Sequence, residues 1–243
     1  VSGAASVEEG VAYVVELSAD GPRAEAITSW TIDWGDGIVT RYNGNLRLAA
    51  HVYGRAQAAY TITALANDGV ADFSSQPLVV EVLNSPPRML RLIPVNRVPE
   101  GSLARLTVVF DDRGCNDRHV VTVQWGDGAT STTTLPEGLR RFDVAHVYAD
   151  NRVDGLPYDV RILLADSGQE EIEILTVVDV FNVAPEATVS GPLAVEAGRN
   201  ATFSGSVIDA GTGDAIEVSW NFGDGTLLPF LPVTDPAAIE IMH

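Results

Sequence analysis

One short motif recurs three times at a fixed distance from an earlier landmark. Val7-Glu8-Glu9-Gly10, Val98-Pro99-Glu100-Gly101 and Val195-Glu196-Ala197-Gly198 each precede an aromatic-Gly-Asp-Gly run beginning at Trp34, Trp125 and Phe222. The spacing from the last glycine of the opening motif to the aromatic is 24 residues each time (10 to 34, 101 to 125, 198 to 222). His51-Val52-Tyr53 matches His146-Val147-Tyr148, and His243 falls at the third equivalent position. Asn84 and Asn182 open two linkers, Asn-Ser-Pro-Pro and Asn-Val-Ala-Pro. The period is 91 residues (10 to 101) and then 97 (101 to 198). Solenoid units are shorter, on the order of 20–50 residues, so this period points to one small domain per repeat.

The expected architecture is all-β, a tandem of immunoglobulin-like sandwiches, two complete and one truncated. The expected domains are residues 1–84, 85–182 and 183–243, the last C-terminally incomplete. Val11 to Leu17, Thr28 to Trp34, Tyr60 to Ala66 and Leu78 to Leu83 are short runs rich in β-formers, and the second repeat has matching runs at 103–110, 120–125, 158–164 and 172–180. Side chains of lower polarity alternate along Thr28–Trp34 and Tyr60–Ala66, the period of a half-buried strand. Gly, Asn, Asp and Pro cluster between the runs, where turns belong. Residues 129–144 are the one roomy insertion, and their composition suggests a hairpin extension. The start at Val1 and the shortened third repeat suggest a piece of something longer, with repeat three mobile or paired to another copy.

Composition then removes several chemistries. All 15 basic residues are arginine, against 33 acids, for a net charge of −18. Such a chain repels nucleic acid and anionic membranes at long range. Without lysine, neither a Schiff base nor a P-loop can form within it. The single Cys115 forbids an intrachain disulfide, and its acidic neighbours Asp111, Asp112 and Asp117 disfavour a reactive thiolate. No run of 18 apolar residues suggests a membrane span.

The repeated landmarks read as mechanical parts. Trp34, Trp125 and Phe222 should end strands and plug the space between sheets. Gly-Asp-Gly should reverse the chain, with Asp36, Asp127 and Asp224 accepting turn N–H groups. Asp33 is Gln124 and Asn221 in the other copies, so a paired-carboxylate mechanism does not survive. His51 and His146 read as strand-end hydrogen-bonding residues, since no zinc-type cluster accompanies them.

Trp-x-Ile-Asp-Trp-Gly-Asp-Gly (30–37), Ala-His-Val-Tyr (50–53) and Tyr-Thr-Ile-Thr-Ala-Leu-Ala-Asn-Asp-Gly (60–69) together resemble the polycystic kidney disease (PKD) repeat. Repeat two departs at Gln124, and repeat three matches up to His243. The resemblance implies an extracellular, non-catalytic spacer or adhesion module of a large surface or secreted protein, with a protein or glycan partner. The lysine-free composition suggests a bacterial host. An alternative is a carbohydrate- or protein-binding accessory module of a secreted hydrolase, for which Tyr42, Phe142 and Phe230 are the aromatic candidates.

Some PKD-like domains of secreted bacterial collagenases bind calcium through a linker asparagine, an Asp-rich early loop and a late Asp-x-Gly loop. Carried over, that pattern implies Asn84, Glu100, Asp111, Asp112 and Asp166 around repeat two, and more weakly Asn182, Glu196 and Asp209 around repeat three. Oxygen ligands of this kind suit Ca2+. Repeat one keeps Glu9, Asp20 and Asp68 without a preceding linker. A cation beside a linker would stiffen the joint it spans.

Overall fold

The computed structural model describes residues 1–95, 97–168 and 170–243. Repeat one holds nine strands: β1 (Ser2–Gly3), β2 (Ser6–Glu8), β3 (Ala12–Glu16), β4 (Ser29–Asp33), β5 (Val39–Asn43), β6 (Leu48–Val52), β7 (Gln57–Asn67), β8 (Asp72–Ser74) and β9 (Leu78–Leu83). They form one sheet ordered β1-β3-β6 and a second ordered β2-β9-β7-β4-β5, with β8 pairing β7. Repeat two holds β10 (Arg88–Ile93), β11 (Arg97–Pro99), β12 (Leu103–Asp111), β13 (His119–Gln124), β14 (Thr130–Leu135), β15 (Arg141–Val147), β16 (Tyr158–Ala165) and β17 (Glu171–Phe181). Their orders, β10-β12-β15 and β11-β17-β16-β13-β14, reproduce the first repeat. Repeat three has β18 (Glu186–Ser190), β19 (Thr202–Ile208) and β22 (Ile239–Met242) in one sheet, and β20 (Glu217–Asn221) with β21 (Leu227–Pro232) in another.

These are immunoglobulin-like sandwiches, and their cores follow from side-chain alternation. Along β3 only Tyr13 and Val15 are buried. In repeat two Leu106, Val121, Val123, Ile162, Leu164 and Val178 point inward from facing sheets around Trp125. The stretch 129–144 corrects the expected hairpin extension. β14 pairs β13 in one sheet and β15 pairs β12 in the other, so this segment crosses between the layers. Among the described residues of repeat three, β20 pairs on one edge only, with β21, and Ala201 is the one buried apolar side chain.

The recurring motif is a closed hydrogen-bond circuit. Asp127 Oδ1 accepts the Ala129 N–H at 2.9 Å, and Oδ2 lies 2.6 Å from His146 Nε2. The His146 ring stacks on Trp125 with centroids 4.9 Å apart, and Tyr148 donates its hydroxyl to the Trp125 carbonyl at 2.9 Å. Repeat one matches bond for bond through Asp36, His51, Trp34 and Tyr53. Asp224, His243 and Phe222 form the same stack in repeat three. Gly126 is required twice over. Its φ is +87°, and a Cβ there would stand 2.5 Å from the Asp159 carbonyl oxygen on β16. Gly223 meets nothing within 4 Å, because no such strand lies beside β20.

Trp125 is 1% exposed. Trp125→Ala should therefore cost repeat two about 3–5 kcal/mol, read from urea denaturation of the full chain. The turn circuit also has an acid limb. Burial pushes the Asp127 carboxyl up, but His146 and the Ala129 N–H outweigh it and hold the group below the usual carboxylate value. A depressed carboxyl contributes stability above its unfolded pKa and loses it as the pH falls through the folded one. Below about pH 4 the parent should lose stability more steeply than Asp127→Asn, measured by urea midpoints across that range.

Candidate functional site

Two clusters of acids lie where one repeat meets the next. At the first, Glu9 of repeat one faces Asp112 and Asp117 of repeat two, with one carboxylate oxygen of each within 4.8 Å of the others. At the second, Glu100 faces Asp209 and Asp214 of repeat three on the same terms. The two sets are equivalent, since 112 to 209 and 117 to 214 are both steps of 97.

Strand pairing places the glutamates. β2 runs parallel to β9, and β11 runs parallel to β17, with Val98 opposite Val180. The residue after each short strand therefore emerges beside the outgoing linker. Glu9 Oε1 accepts the Ser85 N–H at 2.8 Å, and Glu100 Oε1 accepts the Val183 N–H at 2.6 Å. The glycine that follows seats the turn against the next repeat. Gly10 has φ +71°, and a Cβ there would stand 2.6 Å from the Arg113 carbonyl oxygen.

Repeat two supplies the other half of the first cluster from two loops. After β12, Asp112 Oδ1 accepts the Gly114 N–H at 2.9 Å and Oδ2 meets the buried His119 Nε2 at 2.5 Å. Asp117 accepts the Ser167 hydroxyl at 2.6 Å. After β16, Asp166 Oδ1 accepts the Gly168 and Glu170 N–H groups, while Oδ2 accepts from the Asn84 amide at 2.9 Å. Gly114 leaves the space into which these groups converge. A Cβ there would overlap Asp117 Oδ2 and stand 2.9 Å from Glu9 Cδ. Gly211 does the same at the second joint, with Asp214 Oδ2 and Glu100 Cδ each 2.9 Å away.

The electrostatics of the first cluster are unbalanced. Glu9 is 0% and Asp117 1% exposed. Glu9 Oε2, Asp117 Oδ2 and Asn84 Oδ1 are buried and have no hydrogen-bond partner among the described residues. Burial, against the Ser85 N–H and with the Asp117 charge, pushes the Glu9 carboxyl up to about 7. Burial also raises Asp117, helped by Asp112 and Asp166 and opposed by the Ser167 hydroxyl. Arg55 Nε lies 4.0 Å from Asp117 Oδ1, and its Nη2 turns to Glu137. At the second joint Asp214 is raised by burial and by Asp150, Glu100 and Asp209. The Asn182 amide lies 2.9 Å from Glu100 Oε1 and 2.8 Å from Asp214 Oδ2; with its nitrogen toward the acids it donates to both. Converging hard oxygens with unfilled lone pairs fit Ca2+, whose ligands stand about 2.3–2.6 Å from the ion.

Asn84, Asp112 and Asp166 of the expected set come together. Glu100 does not join them. It lies at the far end of repeat two, with Asn182 and Asp209. Asp111 points to the opposite face of β12 from Asp112, where it pairs with Arg88 at 3.6 Å. Glu196 is exposed and lies 3.9 Å from Arg199, apart from both clusters. Glu9, Asp117 and Asp214 complete the sets; for the two aspartates the shared 97-residue step and the glycines at 114 and 211 were the sequence signal. Of the aromatic candidates, Phe142 is buried, Tyr42 is half-buried and Phe230 is exposed. Cys115 is a free, exposed thiol. No helix among the described residues is long and apolar enough to cross a membrane.

Sandwiches and joints together define a tandem array of immunoglobulin-like domains. Residues 182–236 match the family model described as PKD domain. The aromatic-Gly-Asp-Gly turn of that segment is the one that repeats one and two share. No curated protein matches the chain. Among solved structures, the PKD domain of an M14-like peptidase from Thermoplasmatales archaeon SCGC AB-540-F20 is 20% identical, with a TM-score of 0.34, over 40% of this chain and 98% of that one. A tetra-tandem repeat from the extending region of a large adhesion protein is 12% identical, with a TM-score of 0.39, over 88% of this chain and 57% of that one. A two-domain fibronectin type-III segment of chicken tenascin is 17% identical, with a TM-score of 0.33, over 62% and 82%.

The unbalanced charge makes a test that needs no metal. In chelator at pH 8, Glu9→Gln should stabilise repeat one and Asp117→Asn repeat two, each by about 1–3 kcal/mol, because each removes a carboxylate whose ionised form burial disfavours. Thermal melts of the full chain read this directly.

Proposed function

We propose that this chain is a non-catalytic extracellular spacer whose joints are stiffened by Ca2+. The observation that carries the reading is the composition of each joint. One glutamate comes from the preceding repeat, one asparagine from the linker, and the aspartates from the following repeat. A cation held by Glu9, Asn84, Asp112, Asp117 and Asp166 would tie three separately moving parts together. It would also supply the positive charge that the buried oxygens lack. Glu100, Asp209 and Asp214 would hold a second ion, with the Asn182 amide turned to face it with its oxygen instead of its nitrogen. Protein or glycan partners at a cell surface belong to this reading as the task of a module carried at the end of such a spacer.

The role asks little of the chain beyond shape, charge and span. The acidic clusters sit at joints, where an ion would fix geometry, and Glu9, Asp112, Glu100 and Asp209 are already engaged by backbone N–H groups. The net charge of −18 keeps an extended array soluble and self-repelling.

Calorimetric titration of the chelator-treated chain with CaCl2 should give saturable heat. At about 100 times Kd the ion should add about 2.7 kcal/mol to the stability of the joint. Small-angle scattering should show a narrower range of end-to-end distances with Ca2+ than without. Asp117→Asn should remove the heat assigned to the first joint and keep that of the second. Absence of heat, together with unchanged melting at millimolar Ca2+, would overturn the reading.

A further inference from the structure

Behind the acids of the first joint lies an imidazole that the cluster itself does not account for. His119 Nε2 stands 2.5 Å from Asp112 Oδ2, and both side chains are fully buried. Facing a carboxylate, Nε2 carries the hydrogen, which leaves Nδ1 as an acceptor. That Nδ1 is buried and has no partner among the described residues. A buried acceptor left unpaired keeps the cost of its desolvation, so an apolar side chain would fill this space more favourably. Among the described residues, the one hydrogen bond of the ring goes to Asp112. The backbone of the same loop is held separately. Arg140 lies over the Phe110 ring, which meets the His119 ring at 4.8 Å, and its Nη2 donates to the Asp112 and Gly114 carbonyls at 3.3 and 2.8 Å.

The other two repeats lack this bracket. A step of 97 residues from His119 and Arg140 lands on Ile216 and Ala237, whose side chains carry no donor. Asp209, the counterpart of Asp112, accepts the Gly211 N–H at 3.3 Å, and that is the one hydrogen bond its side chain makes among the described residues. In repeat one, 91 residues earlier, Gly21, Ala26 and Thr28 stand for Asp112, Asp117 and His119, so the aspartates and the imidazole are missing together.

We propose that His119 is a positioning residue for the cation of the first joint: its Nε2–H holds the Asp112 carboxylate in the pose from which it would bind Ca2+. The inference rests on the Ca2+ reading of the joint. A carboxylate offers about four lone-pair sites, so the bonds from His119 and from the Gly114 N–H leave about two for an ion. An arriving ion would have nothing to order at Asp112, and pre-ordering of this kind raises affinity. The role needs no change of protonation. At the second joint Asp209 has the backbone bond alone, which is the state Asp112 would fall to without the imidazole.

Glutamine and methionine are alike in length and differ in the amide that can donate to Asp112. In calorimetric titration of the full chain with CaCl2, His119→Met should weaken the first-joint Kd about 10–100-fold, and His119→Gln should hold it within about threefold. The second joint should be unchanged in both, and Asp117→Asn identifies which heat belongs to which joint. A purely structural role would move the melting point in chelator and leave the Kd of the folded chain alone. A second readout uses the parent. With 15N-labelled histidine, the ring resonance that is absent from His119→Gln should shift with Ca2+ at the midpoint of the first joint, and this holds as a test even where His119→Met leaves repeat two unfolded. The proposal is overturned if that resonance stays unmoved at Ca2+ concentrations that saturate the heat. It is equally overturned if His119→Met binds as the parent does, or if His119→Gln binds as weakly as His119→Met. A parent chain that gives no heat would overturn the Ca2+ reading and this inference with it; heat without an effect at His119 would overturn this inference alone.

Discussion

Each joint depends on one pairing: the short strand that opens a repeat runs parallel to the strand that closes it. β11 beside β17 carries residues 97–99 to the exit end of repeat two, so that the next residue, Glu100, stands over the linker that begins at Asn182. β2 beside β9 does the same for Glu9 and Asn84. An antiparallel neighbour would have delivered the glutamate to the entry end. The backbone N–H after each asparagine then fixes one carboxylate oxygen, and the other is left facing the next repeat. The joint is thus set by sheet topology before any charge is considered.

Charge decides what the joint does next. Glu9 and Asp117 have left water; the Asp117 charge adds to the desolvation that raises Glu9, and the Asp112 and Asp166 charges add to that which raises Asp117. Breaking even would need a well-placed opposite charge, because the cost of burying an ion is several kcal/mol. Arg55 is about half exposed and divides itself between Asp117, Glu137 and the Asn116 carbonyl, so it supplies only part of that charge. Two outcomes remain for the ion-free molecule: a proton on Glu9 or a loosened joint. A divalent ion at the proposed site would relieve the repulsion and keep the joint closed.

Much of the sandwich was legible because its signals are local. Leu78 to Leu83 is a strand at the bounds that its composition suggested, and Trp125 plugs the core as an aromatic before Gly-Asp-Gly should. Asp127 and His146 were readable as a turn former and a strand-end residue, but their 2.6 Å contact was not, because 19 residues separate them. The site was half legible for a related reason. Asn84, Asp112 and Asp166 lie on one repeat and its own linker, where motif spacing reaches. Glu9 comes from the repeat before, and only the parallel pairing of β2 carries it across. Asp111 shows the opposite failure. It neighbours Asp112 in sequence, yet strand alternation turns the two side chains to different faces.

The three heads of the array can be read as one scaffold with three treatments of the same late-loop position. In repeat two, Asp166 binds Asn84 and faces the acids of the joint. In repeat one, Arg23 takes up Asp68 and the neighbouring aspartates are replaced, so charge is neutralised within the domain. In repeat three, Asp209 and Asp214 still meet Glu100 although the core behind them is open and β20 lacks a neighbour. Acid convergence at a joint therefore does not depend on a completed sandwich. It depends on the loop after β12 or β19 and on the glycine at its centre, Gly114 or Gly211, where a side chain would occupy the space the carboxylates share. Backbone geometry makes the site, and the residues at positions 112 and 117, or 21 and 26, decide whether it carries charge.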